Sequence, residues 1–174
     1  PDAGMLKRLQ AAAEGCVKLV TLAPEQPGSV EFIRAAVEMG IHVSVGHTVA
    51  GYETAKAAFE AGADHATHLY NAMPPLAHRD PGVIGAAWEV PSVKAELICD
   101  GIHIHPAVVR LTFGLFGKER MIIISDSLRA TGMPDGEYPF GGQMIEVHGN
   151  RATILGHPET LAGSVTSLMG CLRQ

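Results

Sequence analysis

Apolar positions along the first two thirds of the chain change repeatedly between helical spacing and short continuous runs. Helical spacing is found over residues 2–13, 29–39, 54–61 and 107–116. Runs of strand-forming residues lie between these helices, at 17–23, 42–46, 66–69, 93–99 and 121–125. Asp2 and Ser29 are the expected N-caps of the first two helices, and Gly40 is expected to end the second. This alternation with short connections predicts a parallel α/β sheet.

The pattern changes after residue 125. Segments 143–147 and 152–155 indicate the two strands of a β-hairpin around a His-Gly-Asn turn, and a last helix is expected to start near Ser164. The strand at 121–125 is almost entirely apolar, as expected for a strand covered on both faces.

Composition narrows the classes of protein that fit this pattern. Hydrophobic residues make up 47% of the 174 residues and charged residues 18%, with a net charge of −5 and no block of Lys or Arg. We therefore expect neither a nucleic-acid nor a membrane partner. No signal pattern follows Pro1, and the three cysteines are expected to be reduced thiols, so a cytoplasmic location is expected. The sequence is also interpreted as a piece of a longer protein.

Candidate chemistry lies where the predicted strands end, which is where parallel sheets and barrels bind ligands. His47 and His68 follow two consecutive strands and are candidates for a shared metal, although a pair of structural histidines fits the spacing equally well. His65 is interpreted as structural. Asp126 follows the apolar fifth strand, where a buried carboxylate is costly, and is a candidate general base and acid; the alternative is an N-cap of the following loop.

Two further segments carry candidate binding residues. Asp100 and His103 flank Gly101, which suggests a close backbone approach and a histidine that donates to a substrate oxygen, whereas His105 is expected to cap the next helix. Arg79 lies in a proline-rich loop and could bind a phosphate, although a loop arginine is more often simply solvated. Neither a phosphate-binding glycine loop nor a Gly-x-Ser-x-Gly serine-hydrolase motif is present.

Taken in order, these residues resemble a known family. Val-Gly-His47-Thr, Thr-His68-Leu-Tyr-Asn-Ala-Met, Arg79-Asp-Pro-Gly, Asp100-Gly-Ile-His103, Ser-Asp126 and Leu161-Ala-Gly-Ser164 occur as in N-acetylglucosamine-6-phosphate deacetylases of the amidohydrolase superfamily. The resemblance implies a (β/α)₈ TIM barrel of the metal-dependent hydrolase type. Residues 1–174 would form a single partial barrel domain with roughly strands 4–8 and a β-hairpin excursion after the last strand. The first strands and a small β-domain would be absent.

The resemblance also implies roles for individual residues. His47 and His68 would be metal ligands for a divalent metal, Zn or another transition metal such as Fe, and Asp126 would be the catalytic acid and base. The residues that would contact substrate are Asn71, Ala72, Arg79, Asp100, Gly101, Ile102, His103, Leu161, Ala162 and Gly163. In the family the arginine corresponding to Arg79 reaches the phosphate in the neighbouring subunit's site, which implies a homodimer.

Two departures from the family pattern are visible. The sequence following Asp126 is Ser-Leu-Arg rather than the commoner Asp-Ala pattern, a minor change. The family's metal-binding glutamate, in a His-Leu-Glu-Gly-Pro motif, is expected upstream of Pro1. Glu25 ends a different strand and is not assigned that role.

The function implied is metal-dependent hydrolysis of the N-acetyl amide of N-acetylglucosamine 6-phosphate to glucosamine 6-phosphate and acetate, in amino-sugar catabolism. One alternative is a catalytically inactive fragment that only binds metal or sugar phosphate. Another is a different amidohydrolase, such as a dihydroorotase-like enzyme, which Arg79 in its phosphate-suited loop disfavours.

Overall fold

Strands and helices alternate from residue 3 to residue 124, as the apolar pattern predicts. A computed structural model describes residues 1–174. The helices are α1 Ala3–Ala12, α2 Ser29–Glu38, α3 Tyr52–Glu60, α4 Gly82–Glu89, α5 Pro106–Phe116 and α6 Leu168–Cys171. The strands are β1 Leu19–Leu22, β2 His42–Val45, β3 His65–Ala66, β4 Lys94–Ile98, β5 Met121–Ile124, β6 Gly136–Phe140, β7 Gln143–His148, β8 Arg151–Ile154 and β9 His157–Leu161.

Two sheets are formed. The larger has the strand order β1-β2-β3-β4-β5, and its pairings β1–β2, β2–β3 and β3–β4 are parallel. The smaller is antiparallel with the order β6-β7-β8-β9. The predicted α/β class is therefore confirmed. No helix is long and apolar enough to span a bilayer.

The chain divides into two compact units. The first comprises Pro1–Glu96 and Leu115–Ile122, and the second comprises Leu97–Gly114 and Ile123–Gln174. In the first unit the core runs through β2, where Val43, Ser44 and Val45 have no exposed surface. Helices α2 and α3 bury one apolar stripe each, formed by Ile33, Ala36, Ala55, Ala58 and Phe59.

Helix α4 was not predicted from the sequence. Gly82 and Gly85 lower its intrinsic helix propensity, which concealed the helical spacing. Gly85 is required by packing, because an added Cβ would lie 2.3 Å from Pro81 Cβ. Burial of most of the helix compensates for the poor propensity; Val83, Ile84, Ala86 and Ala87 are all buried.

Arg120 holds the C-terminal end of α4. Its guanidinium donates to the carbonyl oxygens of Val93 at 2.8 Å, Trp88 at 3.0 Å and Val90 at 3.0 Å, and also to that of Ala87. The last carbonyls of a helix lack hydrogen-bond partners within the helix, and the Arg120 guanidinium supplies donors to them. Its planar fork of donors allows four carbonyls to be reached by one residue.

In the second unit the predicted hairpin is confirmed as β7 and β8, with His148 paired to Arg151 across the turn. Strands β6 and β9, which extend it on both sides, were not predicted. The sheet packs one face onto a small core of Ala130, Ile145, Val147, Ala152 and Ala162.

Several predicted boundaries are wrong in detail. Gly28, in a left-handed conformation with φ 79°, is the N-cap of α2, whereas Ser29 begins the helix and donates its hydroxyl to the Gln26 carbonyl. The last helix begins at Leu168, with Ser167 as its cap, because Ser164 pairs instead with Ser127 in an isolated parallel bridge. The Gly40 end of α2 and the Asp2 cap of α1 are confirmed.

Arg120→Lys should destabilise the protein, because an ammonium on a flexible stem cannot reach four carbonyls at once. We expect a loss of about 1–3 kcal/mol in the free energy of unfolding, measured by urea denaturation. Arg34→Lys, at an exposed position of α2, is the matched control and should change stability little. Equal stabilities of the two variants would contradict this role for Arg120.

Candidate functional site

His47 and His68 are each the second residue after a strand, β2 and β3 respectively, and their imidazoles are in contact. The two Nε2 atoms are 2.8 Å apart, and the ring centroids are 4.7 Å apart at an interplanar angle of 73°. His47 is exposed, whereas His68 is 6% exposed. Both have left-handed backbone conformations, with φ of 49° and 29°, so the chain turns sharply at each histidine.

The donor set of this pair fits a divalent transition metal. Two neutral imidazoles aimed at one point are borderline ligands that suit zinc and its neighbours. Two nitrogens about 2.0–2.1 Å from a tetrahedral metal lie about 3.3 Å from each other, so the two imidazoles would have to move apart by only about half an ångström. Catalytic zinc sites generally use three protein ligands, so His47 and His68 account for part of such a site.

The loop that carries His47 is held by Glu25. The Glu25 carboxylate accepts hydrogen bonds from the Thr48 hydroxyl and, at 3.0 Å, from the Val49 backbone N–H. Partial burial alone would raise the pKa of the Glu25 carboxyl, but these hydrogen bonds outweigh it and the pKa is lowered. Glu25 therefore positions the residues next to His47. The sequence signal was an acid placed directly after Pro24 at a strand end.

A close backbone approach also fixes His47. A Cβ on Gly46 would lie 2.5 Å from Thr67 Cβ, so only glycine fits between β2 and the chain after β3. The Thr67 hydroxyl hydrogen-bonds to that of Ser44 at 2.5 Å. The two histidine-bearing turns are therefore in direct contact.

Three predicted substrate-binding residues follow His68 in the first unit. The Ala72 carbonyl accepts from Thr48 N at 3.0 Å, which joins the loops that follow the two histidines. Asn71 Nδ2 donates to the His68 carbonyl at 3.3 Å and remains partly exposed. Arg79 is exposed in a loop closed by a hydrogen bond of 3.0 Å from Ala77 N to the Asp80 carbonyl.

In the second unit Asp100 and His103 form a buried ion pair. Asp100 Oδ1 accepts from the backbone N–H groups of Ile102 and His103, each at 2.9 Å, around the left-handed Gly101. His103 Nδ1 donates to Asp100 Oδ2 at 2.7 Å, and Nε2 donates to the Ala162 carbonyl at 3.0 Å. Both ring nitrogens donate, which is the arrangement of a charged imidazolium.

The pKa values of this pair move in opposite directions. Burial alone would raise the pKa of Asp100, but hydrogen bonds from His103 and the backbone lower it to about 2. Burial also acts against a charged His103, yet the bond to Asp100 outweighs it and raises the histidine pKa. His103 is thus held in its cationic form by Asp100.

The structure brings the 100–103 segment together with the 161–163 segment through the bond from His103 to Ala162. Leu161 ends β9, and Gly163 packs against the Asp126 backbone, where a Cβ would lie 2.7 Å from the Asp126 carbonyl oxygen. That carbonyl accepts from Ser164 N at 2.8 Å. The predicted substrate residues of the second unit therefore surround the Asp126 turn.

Asp126 differs from the sequence expectation in its burial. Its side chain is exposed, and its backbone is left-handed with φ 50°. The chain leaves β5 at Ile124 and turns before Asp126, so the carboxylate is not enclosed by the apolar strand that precedes it. The expectation of a buried carboxylate is wrong. His105 caps α5, as predicted, since its Nδ1 accepts from Ala107 N at 3.1 Å.

A second group of metal-binding residue types, not predicted from the sequence, comprises His42, Asp64 and His65. One ligand atom from each residue lies within 4.8 Å of the other two, so the group could hold a metal ion. Asp64 Oδ2 accepts from His42 Nδ1 at 2.6 Å, and Oδ1 accepts from His65 Nδ1 at 2.7 Å. His65 is buried, as its structural interpretation implied.

Parallel strands alternating with helices, with histidines and acids at the strand ends, are typical of metal-dependent hydrolases. No protein-family model matches the chain. It is 46% identical over 167 residues to an N-acetylglucosamine-6-phosphate deacetylase of Bacillus subtilis (strain 168), covering 96% of this chain and 42% of that protein. It is 38% identical over 168 residues to an N-acetylgalactosamine-6-phosphate deacetylase of Escherichia coli O157:H7, covering 97% and 44%.

A solved structure agrees with these sequence matches. A mutant N-acetyl-D-glucosamine-6-phosphate deacetylase of Mycobacterium smegmatis, in complex with N-acetyl-D-glucosamine-6-phosphate, superimposes with a TM-score of 0.95 at 40% identity. The match covers 99% of this chain and 45% of that one. The resemblance to N-acetylglucosamine-6-phosphate deacetylases is therefore confirmed, over the less than half of their length that this chain spans. Its parallel sheet is consistent with part of a TIM barrel.

The Asp100–His103 pair predicts a pH dependence of stability. A carboxyl with a pKa of about 2, against the ordinary 3.8, contributes stability above pH 3.8 that is lost as the pH falls toward 2. The raised pKa of His103 contributes stability below its ordinary value of 6.5 that is lost as the pH rises through the raised value. We expect His103→Gln to reduce both of these changes in the free energy of unfolding with pH. Urea denaturation at a series of pH values measures them.

His78→Gln, at an exposed loop position, serves as the control and should keep the wild-type profile. An unchanged profile in His103→Gln would show that the pair does not govern this dependence.

Proposed function

We propose that the function of this protein is hydrolysis of the N-acetyl amide of N-acetylglucosamine 6-phosphate, releasing acetate and glucosamine 6-phosphate in amino-sugar catabolism. The observation that carries the proposal is the convergence of His47 and His68 in a chain that matches deacetylases of this specificity. The chain spans less than half of those relatives, so activity is proposed for the whole protein.

His47 and His68 would hold the metal through their Nε2 atoms, with Zn the leading candidate and Fe or another transition metal possible. A bound divalent metal would lower the pKa of its water ligand toward about 7 and polarise the amide carbonyl. Glu25 supports this site indirectly, because it fixes the loop that orients His47.

Asp126 would move the proton. Its exposed carboxylate can take a proton from the attacking water as the new C–O bond forms. It would then give that proton to the departing nitrogen as the amide C–N bond breaks, leaving acetate and a free amine. The backbone around Asp126 is fixed by Ser164 and by the close approach of Gly163.

The remaining predicted residues would bind and orient the sugar phosphate. The cationic His103 and the backbone of Gly101 and Ile102 suit sugar oxygens, and Ala162 and Gly163 lie beside them. In the structure His103 Nε2 already donates to the Ala162 carbonyl, so a substrate oxygen would have to replace or share that bond. Asn71 and Ala72 would line the side near His68.

Arg79 would bind the phosphate, and its exposed loop allows it to reach the site of a neighbouring subunit in a homodimer. A cytoplasmic location is part of the same proposal, supported by three cysteines that are all free thiols.

Three other functions compete with this proposal. The chain's short span relative to its relatives favours, for the 174 residues alone, a fragment that binds metal or sugar phosphate without turnover. The match to an N-acetylgalactosamine-6-phosphate deacetylase favours the epimeric substrate as a second candidate. A dihydroorotase-like activity would need no phosphate site. Deacetylation rates measured on N-acetylglucosamine and N-acetylgalactosamine, each with and without the 6-phosphate, distinguish these functions.

Asp126→Asn in the full-length enzyme should lower kcat by about 10²–10⁴-fold, the range typical of a lost general base and acid. Metal content, measured by elemental analysis, should be unchanged, because the amide does not remove either histidine. Asp135→Asn, at an exposed position of the same unit, is the matched control and should retain activity. Near-wild-type turnover of Asp126→Asn with full metal content would refute the proposed mechanism.

A further inference from the structure

We propose that His42, Asp64 and His65 form a second divalent-metal site, separate from the His47–His68 pair and suited to Zn²⁺. Each residue offers one ligand atom, and the three ligand atoms lie within 4.8 Å of one another. Two imidazole nitrogens and one carboxylate oxygen are a known combination for zinc with an open fourth position.

The site is built by the sheet itself. His42 begins β2 and His65 begins β3, two strands paired in parallel with Ser44 opposite His65. Asp64 is fixed on both sides of its peptide, since its N–H donates to the Val43 carbonyl at 3.0 Å and its carbonyl accepts from Lys94 N at 2.9 Å. The three ligands are therefore held by backbone that does not depend on a flexible loop.

The donor atoms already face one another. The two oxygens of Asp64 each accept from one imidazole Nδ1, at 2.6 Å for His42 and 2.7 Å for His65. The two rings meet edge to face, with centroids 5.3 Å apart. Ligand atoms around a tetrahedral zinc lie about 3.3 Å apart. The three ligand atoms here lie within 4.8 Å of one another, so binding would require side-chain shifts on the order of 1 Å.

The charge of Asp64 and the solvent exposure of the cluster also favour binding of a cation. Burial alone would raise the pKa of Asp64, but the hydrogen bonds from His65 and His42 outweigh it and lower the pKa, so the carboxylate is ionised at neutral pH. Side-chain exposure is 58% for His42 and 31% for Asp64, against 10% for His65. An ion and its water ligand can therefore enter from the His42 side.

Metal binding would change where the imidazoles of His42 and His65 carry their protons. Each neutral imidazole now carries its proton on Nδ1, and coordination through Nδ1 moves that proton to Nε2. A ring that is charged instead releases one proton to solvent on binding. Affinity for the metal should therefore fall at acidic pH.

The site is distinct from the histidine pair because it lies at the opposite end of the same strands. His42 begins β2 and His47 follows its end five positions later, a span of at most about 16 Å at about 3.3 Å per residue. One metal cannot be shared between them, and this inference does not depend on the proposed deacetylase activity.

The experiment uses the full-length protein with both His47 and His68 changed to Ala, so that the pair cannot bind. We expect calorimetric titration with Zn²⁺, with elemental analysis after gel filtration, to show one ion per chain bound at the second site. Adding His42→Ala should weaken binding at least about tenfold, because one of three protein ligands is lost. His42 is exposed, so this change should leave the circular dichroism spectrum intact.

The matched control is His157→Ala in the same background, since His157 is also exposed and bonds through Nδ1 to a single carboxylate, Glu159. It should leave Zn²⁺ affinity unchanged. Asp64→Asn, if folded, should weaken binding as His42→Ala does. The proposal is overturned if the background protein binds no Zn²⁺, or if His42→Ala and His157→Ala bind it equally well.

Discussion

The approach of His47 Nε2 to His68 Nε2 is the interaction on which the site depends. It exists because the chain turns left-handed at both histidines, close after two neighbouring parallel strands. Left-handed backbone is unfavourable for residues other than glycine, so these turns persist only where the surroundings hold them. The contact of Gly46 with Thr67 and the bonds of Glu25 to the next loop provide that support.

Carboxylates fix histidines at two other places, with different consequences. In the buried Asp100–His103 pair, burial acts against the charged imidazole, but the hydrogen bond and the negative charge of Asp100 outweigh it and raise the pKa of His103. Asp64 instead bridges two imidazoles, one of them open to solvent, which leaves room for a cation. We therefore propose substrate binding for the buried Asp100–His103 pair and metal binding for the more exposed cluster around Asp64.

Much of the fold could be predicted because local sequence and packing agree. The alternating apolar pattern predicted the strands of the parallel sheet and five of the six helices. Gly40 was correctly predicted to follow the end of α2, and Gly149 lies in the predicted hairpin turn. Helix α4 was missed because its glycines, which packing against Pro81 requires, mimic a loop. Strand β9 was missed because nearly all its side chains are exposed, so no apolar alternation marks it.

The site was predictable only in part. Motifs at the strand ends identified His47 and His68, and the structure brings them into contact. Neither the exposure of Asp126 nor the supporting role of Glu25 could be derived from spacing, because both follow from how the loops turn. The cluster around Asp64 was invisible for a similar reason: His42 and Asp64 are far apart in sequence and become neighbours only through β2–β3 pairing.

The proposed site depends above all on the binding of a metal by the paired histidines His47 and His68. Anomalous X-ray scattering at the absorption edge of the bound metal, on crystals of the full-length protein, tests it most directly. We expect a peak bonded to Nε2 of both His47 and His68, at the roughly 2.0–2.1 Å typical of imidazole ligands. A fully occupied metal elsewhere, with the two imidazoles still in contact and no peak between them, would contradict it.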